Sequence, residues 1–245
     1  MRFRAGFLLS VVLCAAPATV GAAVQRVVID PGHGGAEDGA IGPSGLKEKD
    51  LVLDIARRLS AALAADGVDV TLTRDGDEDV ALDTRASIAN ERRAELFISL
   101  HVNASRHNGA RGAETFFLAP EATDDAARTT AALENDAAGA GVPAAAGADL
   151  PLILWDLAQV EYLHESARLA RAIQDRLNSA LGITDRGVRQ APFRVLVGAT
   201  CPAVLVELGF LTNPEEEAKL ADGEYRRKLV EALLGAVRDF PGSSR

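Results

Sequence analysis

The chain has 245 residues, a formal net charge of −9 at pH 7, and 48% hydrophobic but only 4% aromatic residues. That charge excludes a broad nucleic-acid-binding or anionic-membrane surface, although one local site can still oppose the global sign. The length suits one medium domain able to bury its own core.

In chain order, Arg2 and Arg4 precede an apolar run from Phe7 to Cys14, followed by small residues up to Gly21-Ala22-Ala23. A basic start, a short apolar stretch and a small-residue cleavage site predict a secretory signal peptide over 1–23. The run is too short and too early for a spanning helix, so its cleavage leaves no stable membrane span. Bulky Leu13 sits where lipidation of Cys14 would need a small residue. The expected mature domain, 24–245, keeps one cysteine, Cys201, and so has no internal disulfide. Cys201 stands before Pro202 and an apolar run with no base beside it in sequence, which predicts a buried structural thiol.

From there the pattern alternates. A strand is expected at 26–30, a helix at 50–65 with Val52, Ile55, Leu59, Ala62 and Leu63 at three- and four-residue spacing, and a strand at 69–73 after Gly67. A helix at 81–92, a strand at 96–101 and an edge strand at 112–118 follow. Residues 121–149 then break the pattern, being rich in Ala, Gly, Asp and Thr. Thr123 or Asp124 is suited to cap a short helix running to Asp136, and 139–147 reads as a flexible loop. This insertion is either a solvated surface excursion or a mobile lid. A long amphipathic helix runs from 151 to 181, with strands at 193–197 and 203–207 and closing helices at 215–220 and 224–240. The alternation predicts a single α/β domain with a mixed, mostly parallel sheet flanked by helices on both faces.

Three apolar runs end in chemistry-bearing residues: Val27-Val28-Ile29-Asp30-Pro31-Gly32-His33, Leu96-Phe97-Ile98-Ser99-Leu100-His101-Val102-Asn103 and Ala203-Val204-Leu205-Val206-Glu207. Sites in open α/β sheets form just beyond the carboxyl ends of strands, so His33, His101 and Glu207 are expected to converge. Glu207 stands out alone, because a carboxylate after four apolar residues is costly unless paired or metal-linked. Glu48 adds a further carboxylate, although among Lys47, Lys49 and Asp50 it reads by itself as a solvated helix-entry charge. Two histidines, one carboxylate and a spare carboxylate form the inventory of a hydrolytic zinc site. Asp30 and Asn103 either orient ligands or substrate, or simply shape turns. His107 and His164 read as surface residues.

The segments Ile29-Asp30-Pro31-Gly32-His33-Gly34-Gly35, Gly45-Leu46-Lys47-Glu48-Lys49-Asp50, Leu72-Thr73-Arg74, Ser99-Leu100-His101-Val102-Asn103-Ala104 and Val204-Leu205-Val206-Glu207-Leu208-Gly209-Phe210-Leu211-Thr212-Asn213 together resemble the zinc-dependent N-acetylmuramoyl-L-alanine amidases (amidase type 3) of bacterial cell-wall turnover. The resemblance implies Zn²⁺ on His33, Glu48 and His101, Glu207 as the catalytic carboxylate, and hydrolysis of the amide between N-acetylmuramic acid and L-alanine in peptidoglycan. Ala131-Ala132-Leu133-Glu134-Asn135-Asp136 further resembles the inhibitory helix of septal amidases, as does Leu157-Ala158-Gln159 downstream. That implies a periplasmic location, a metal contact from Glu134 and a protein activator that displaces the helix. A zinc peptidase acting on the stem peptide, or a non-catalytic peptidoglycan-binding protein, are the alternatives.

Overall fold

Two uninterrupted apolar runs make the centre of the sheet. The structure, a computed structural model, describes residues 23–105, 107, 109–136, 149–183 and 185–242, the side chains of 149–161 excepted. The expected signal peptide up to residue 22, the 139–147 loop and the side chains of Leu157-Ala158-Gln159 lie outside these residues. Strand β1 (Arg26–Pro31) leads through a glycine-rich loop to helix α1 (Glu48–Ala65). Then come β2 (Asp69–Leu72), α2 (Leu82–Glu91), β3 (Leu96–Asn103) and β4 (Ala113–Leu118). The insertion supplies α3 (Asp125–Asp136), and α4 (Asp149–Leu181) runs on to β5 (Asp185–Ala191). A 3₁₀ turn (Arg194–Leu196), β6 (Ala203–Phe210), α5 (Pro214–Ala221) and α6 (Gly223–Asp239) complete the order.

The six strands lie in the order β2-β1-β3-β6-β4-β5. All pairings are parallel except β4 with β6. The sheet is thus mixed and mostly parallel, as the alternation predicts. Every residue of β3 and β6 is buried, the signature of strands covered on both faces. Alternate residues part to the two faces. Ile98, Leu100, Val204 and Val206 pack on one side with α1, α4 and α6, while Phe97, Leu205, Phe116 and Phe193 pack on the other. His101 and Glu207 continue the second alternation, so their side chains belong to the α2/α3 face.

Two sequence expectations fail. Residues 112–118 were expected at an edge, but β4 lies between β6 and β5. The true edge strand, β5, reads Asp-Arg-Gly-Val-Arg-Gln-Ala and is mostly half-buried, so it carries no apolar pattern. The strand expected at 193–197 is instead the 3₁₀ turn. Pro192 lacks an N–H for a ladder, Gly198 has a φ of 83°, and Phe193, Val195 and Leu196 plug the second core as a knob. Cys201 is buried, as expected.

Helix α5 ties two loops to the sheet. Asn213 caps it by accepting from Glu215 N at 2.9 Å, with Pro214 in the first turn. Glu217 accepts the Ser44 hydroxyl at 2.7 Å and the Ser44 N–H at 2.9 Å. That bond fixes the stretch of chain entering α1 just before Glu48.

Candidate metal centre

His33 lies two residues beyond β1, where the chain turns in tight, left-handed backbone: φ is 56° at His33, 124° at Gly34 and 59° at Gly35. A non-glycine residue there is strained and needs outside support. Two buried arginines supply it. Arg85 donates to the His33 carbonyl at 2.9 Å and to the Pro31 carbonyl at 2.8 Å. Arg74 donates to the carbonyls of Pro31 at 3.0 Å and Gly32 at 2.7 Å. Asp30, fully buried, anchors Arg85 at 2.8 Å and also accepts the hydroxyls of Thr73 at 2.5 Å and Ser99 at 2.7 Å. It therefore positions the His33 loop through Arg85. Burial alone would raise the Asp30 carboxyl pKa, but Arg85 and the two hydroxyls outweigh it, and the pKa falls below 3.8.

Glu48 opens α1 and is 1% exposed, against its reading in isolation as a solvated charge. Its Oε2 accepts the Ala40 N–H at 2.8 Å, and its Oε1 the Val102 N–H at 2.9 Å. The Oε1 also lies 3.1 Å from both His33 Nε2 and His101 Nδ1. Helix α3 brings in Glu134, with Oε2 at 2.8 Å from His101 Nδ1 and 3.3 Å from His33 Nε2. One donor atom from each of His33, Glu48, His101 and Glu134 lies within 4.8 Å of all the others.

Close approach needs missing side chains. A Cβ on Gly32 would stand 2.3 Å from the His101 ring, and one on Gly39 would stand 2.6 Å from both Glu48 Oε2 and the His33 ring. Only glycine leaves room at both places.

Taken as protein groups alone, these residues titrate against one another. Burial would lower the His33 pKa, but Glu48 and Glu134 raise it to about 10. The same contest raises His101 to about 9, with Glu134 the foremost partner. Glu48 is pushed down by both imidazoles despite its burial, and Glu134 chiefly by His101. Yet His33 Nε2 and Glu134 Oε2, both buried, make no hydrogen bond in spite of their short distances. Two such atoms left unpaired inside a crowded donor group fit a cation held between them. Two imidazoles with carboxylate oxygens match the donor set of zinc.

Glu207 stands beside this group, directly opposite His101 in the β3–β6 ladder. It is 0% exposed, and neither of its oxygens has a hydrogen-bond partner. Burial, then the charges of Glu134, Glu48 and Glu114, push its pKa well above 4.5. Glu114, its opposite neighbour on β4, is a buried carboxylate that the sequence reading passed over, although it too interrupts an apolar strand. Glu114 pairs with Arg186, whose guanidinium lies over the Phe210 ring at 4.9 Å. Asn103 touches no imidazole; its side-chain amide reaches Thr130 on α3 at 3.3 Å. His107 and His164 are exposed, as expected.

A mixed α/β sheet bearing a two-histidine, two-carboxylate cluster beyond its strand ends has the donor set and placement that a hydrolytic metal site requires. Comparison with known proteins makes this specific. The family model for N-acetylmuramoyl-L-alanine amidase matches residues 27–239. AmiA of Escherichia coli K12, an N-acetylmuramoyl-L-alanine amidase, is 37% identical over 217 residues, which cover 87% of this chain and 75% of AmiA. Among solved structures, AmiC2 of Nostoc punctiforme is 30% identical with a TM-score of 0.65, covering 87% of this chain and 94% of that one. An N-acetylmuramoyl-L-alanine amidase from Clostridium difficile 630 is also 30% identical, with a TM-score of 0.67 and coverage of 88% and 96%. The chain belongs to the N-acetylmuramoyl-L-alanine amidase family.

Two predictions come from the scaffold. Gly39→Ala places a methyl group against Glu48 and His33 in backbone at a φ of 68°, so zinc affinity should fall by at least ~10-fold, read by competition with a chelating dye. The carboxyl pKa of Asp30 is depressed in the folded protein, so its stabilisation is complete above the ordinary value of 3.8 and is lost as pH falls through the folded value. Asp30→Asn should therefore destabilise the fold at pH 7 by roughly 3–5 kcal/mol, because Arg85 loses its buried partner. The deficit should shrink as acid protonates the parent's carboxyl, as followed by urea denaturation at stepped pH.

Proposed function

We propose that this chain hydrolyses the amide between N-acetylmuramic acid and L-alanine in peptidoglycan, using zinc held by His33, Glu48 and His101, with Glu207 as the catalytic acid–base. The observation that carries the reading is a fully buried, unpartnered Glu207 standing opposite a ligand-type histidine in the same ladder. When bound, zinc supplies Lewis-acid polarisation of the scissile carbonyl and lowers the pKa of the attacking water. Glu207 takes that water's proton on a carboxylate oxygen and delivers it to the departing alanine nitrogen. The products are a muramoyl carboxylate and a free stem amine. Glu48, tied to the Ala40 and Val102 amides, orients both imidazoles toward one point.

Glu134 is proposed as an autoinhibitory group. Its carboxylate takes a fourth position beside three ligands, the position that water or substrate needs. Taken as protein groups alone, burial raises the Glu207 pKa and the charge of Glu134 adds to that rise. Withdrawing α3 thus clears a coordination position. The helix is fitted to leave. Its buried face is only Ala127, Thr130 and Ala131, and its polar ties to the body are few: Asn135 donates to the Pro192 carbonyl at 2.9 Å and accepts the Arg194 N–H at 2.8 Å, and Thr130 accepts from the Asn103 amide at 3.3 Å. A protein activator that grips α3 would release the site.

The N-terminal features described above support export by a cleaved signal peptide and a periplasmic site of action. Among the described residues no helix is long and apolar enough to cross a membrane.

Mass spectrometry of digested peptidoglycan tests the reaction. Free stem peptides with an alanine amino terminus are expected, and cleavage within the stems would mean a peptidase instead. Glu207→Gln should retain zinc while losing turnover by on the order of 10²–10⁴-fold. Loss of zinc in this variant would make Glu207 a ligand. Glu134→Ala, or a short Gly-Ser linker replacing residues 121–149, should raise partner-free hydrolysis by ~10-fold or more. Folded, zinc-loaded variants no faster than the parent would contradict autoinhibition.

A further inference from the structure

A pocket of about 330 Å³ opens beside the cluster and is lined by His33, His101, Glu134 and Arg194. Its rim is otherwise acidic, with Glu37, Asp79 and Asp83. Outside the metal-ligand cluster, a substrate carboxylate entering here meets the acidic rim and an arginine with donors to spare. Arg85, which also lines the pocket, is fully engaged with Asp30 and the backbone carbonyls of Val80, Pro31 and His33. Arg194 is not. Its Nη2 makes only long contacts to Asp83, at 3.2 and 3.4 Å, and the Asp83 side chain is 79% exposed. Its Nη1 is buried and has no partner. A guanidinium donor kept from water and left unfilled is costly, so it marks a position where a partner is missing.

The same helix that carries Glu134 presses on this residue. Asn135 accepts the Arg194 main-chain N–H at 2.8 Å, so the end of α3 lies against the arginine. Movement of α3 would therefore release the imidazoles from Glu134 and the Arg194 backbone from Asn135 together.

The amidase reading, on which this inference rests, names what would arrive. The first stem residue is L-alanine, whose carboxyl group is consumed in the next peptide link. The second is a glutamate joined through its side chain, which leaves its main-chain carboxylate free or amidated. That is the first free acid beyond the scissile bond, within reach of a pocket that also touches both imidazoles. We infer that Arg194 is a specificity residue that reads the free carboxylate of the second stem residue by a forked, charge-assisted hydrogen bond. The acidic rim sharpens the choice, because it penalises a carboxylate that is not held by Arg194.

The test measures binding apart from turnover. In the full chain carrying Glu134→Ala and Glu207→Gln, a muramoyl tripeptide is titrated by calorimetry with its second residue either as the free acid or as the amide. The free acid should bind tighter by on the order of 10-fold or more. Adding Arg194→Gln should erase that difference while changing amide binding by no more than about threefold. Arg194→Lys, which keeps the charge but loses the fork, should retain part of the preference. No preference in the parent, a preference that survives Arg194→Gln, or binding of neither compound would overturn the assignment. Failure of the amidase reading shows separately, as intact muramoyl–alanine bonds after incubation with the Glu134→Ala protein.

Discussion

Donor atoms from segments far apart in the chain have to meet within 4.8 Å, and that demand shapes everything around them. Two imidazoles and two carboxylates cannot be crowded together by their own attraction without close control of the backbone. Here the control comes from strand ends. β1, β3 and β6 deliver His33, His101 and Glu207 to one end of the sheet, and α1 begins at Glu48. Gly32 and Gly39 remove the two Cβ atoms that would keep the rings apart. Arg74 and Arg85 bond to the carbonyls of the strained His33 loop, and Asp30 holds Arg85 in place. A buried arginine satisfied by carbonyls on one side and a carboxylate on the other stiffens a loop that apolar packing alone cannot reach.

The other half of the site is built for weaker attachment. α3 meets the body through two alanines, a threonine and a few side-chain hydrogen bonds, in contrast with the fully buried β3 and β6. Strength and weakness are thus divided between the ligands that stay and the carboxylate proposed to leave. The electrostatics follow the same division. Glu48 is held low by two imidazoles despite its burial, whereas Glu207 has no cationic partner and is driven upward by burial and then by its carboxylate neighbours. The three acids proposed as ligand, proton carrier and removable plug thus sit in different surroundings.

The central strands were legible because burial writes itself as apolar runs; the histidines at their ends were singled out by their joint placement and the motif resemblance, since either one alone reads as readily as a buried or turn histidine. Glu207 was legible by itself, because a carboxylate after four apolar residues is costly unless paired or metal-linked. Glu48 was not legible from local chemistry, since Lys47, Lys49 and Asp50 make it look solvated; only the motif resemblance pointed to it. β5 was missed because an edge strand made of polar residues has no periodic signal. The turn at 194–196 was mistaken for a strand because a buried knob and a short strand share the same apolar composition. Arg85 escaped notice because an arginine on a short helix is usually a surface charge, and nothing local announces the buried Asp30 that claims it.

The most direct test of the account is the metal itself. X-ray absorption spectroscopy at the zinc edge, with elemental analysis of the purified mature protein, reads both stoichiometry and ligand type. The account predicts one zinc per chain, bound by nitrogen and oxygen only, with the outer-shell scattering of two imidazoles. A protein that folds and hydrolyses peptidoglycan without stoichiometric metal, or a zinc spectrum with fewer than two imidazoles, would contradict it.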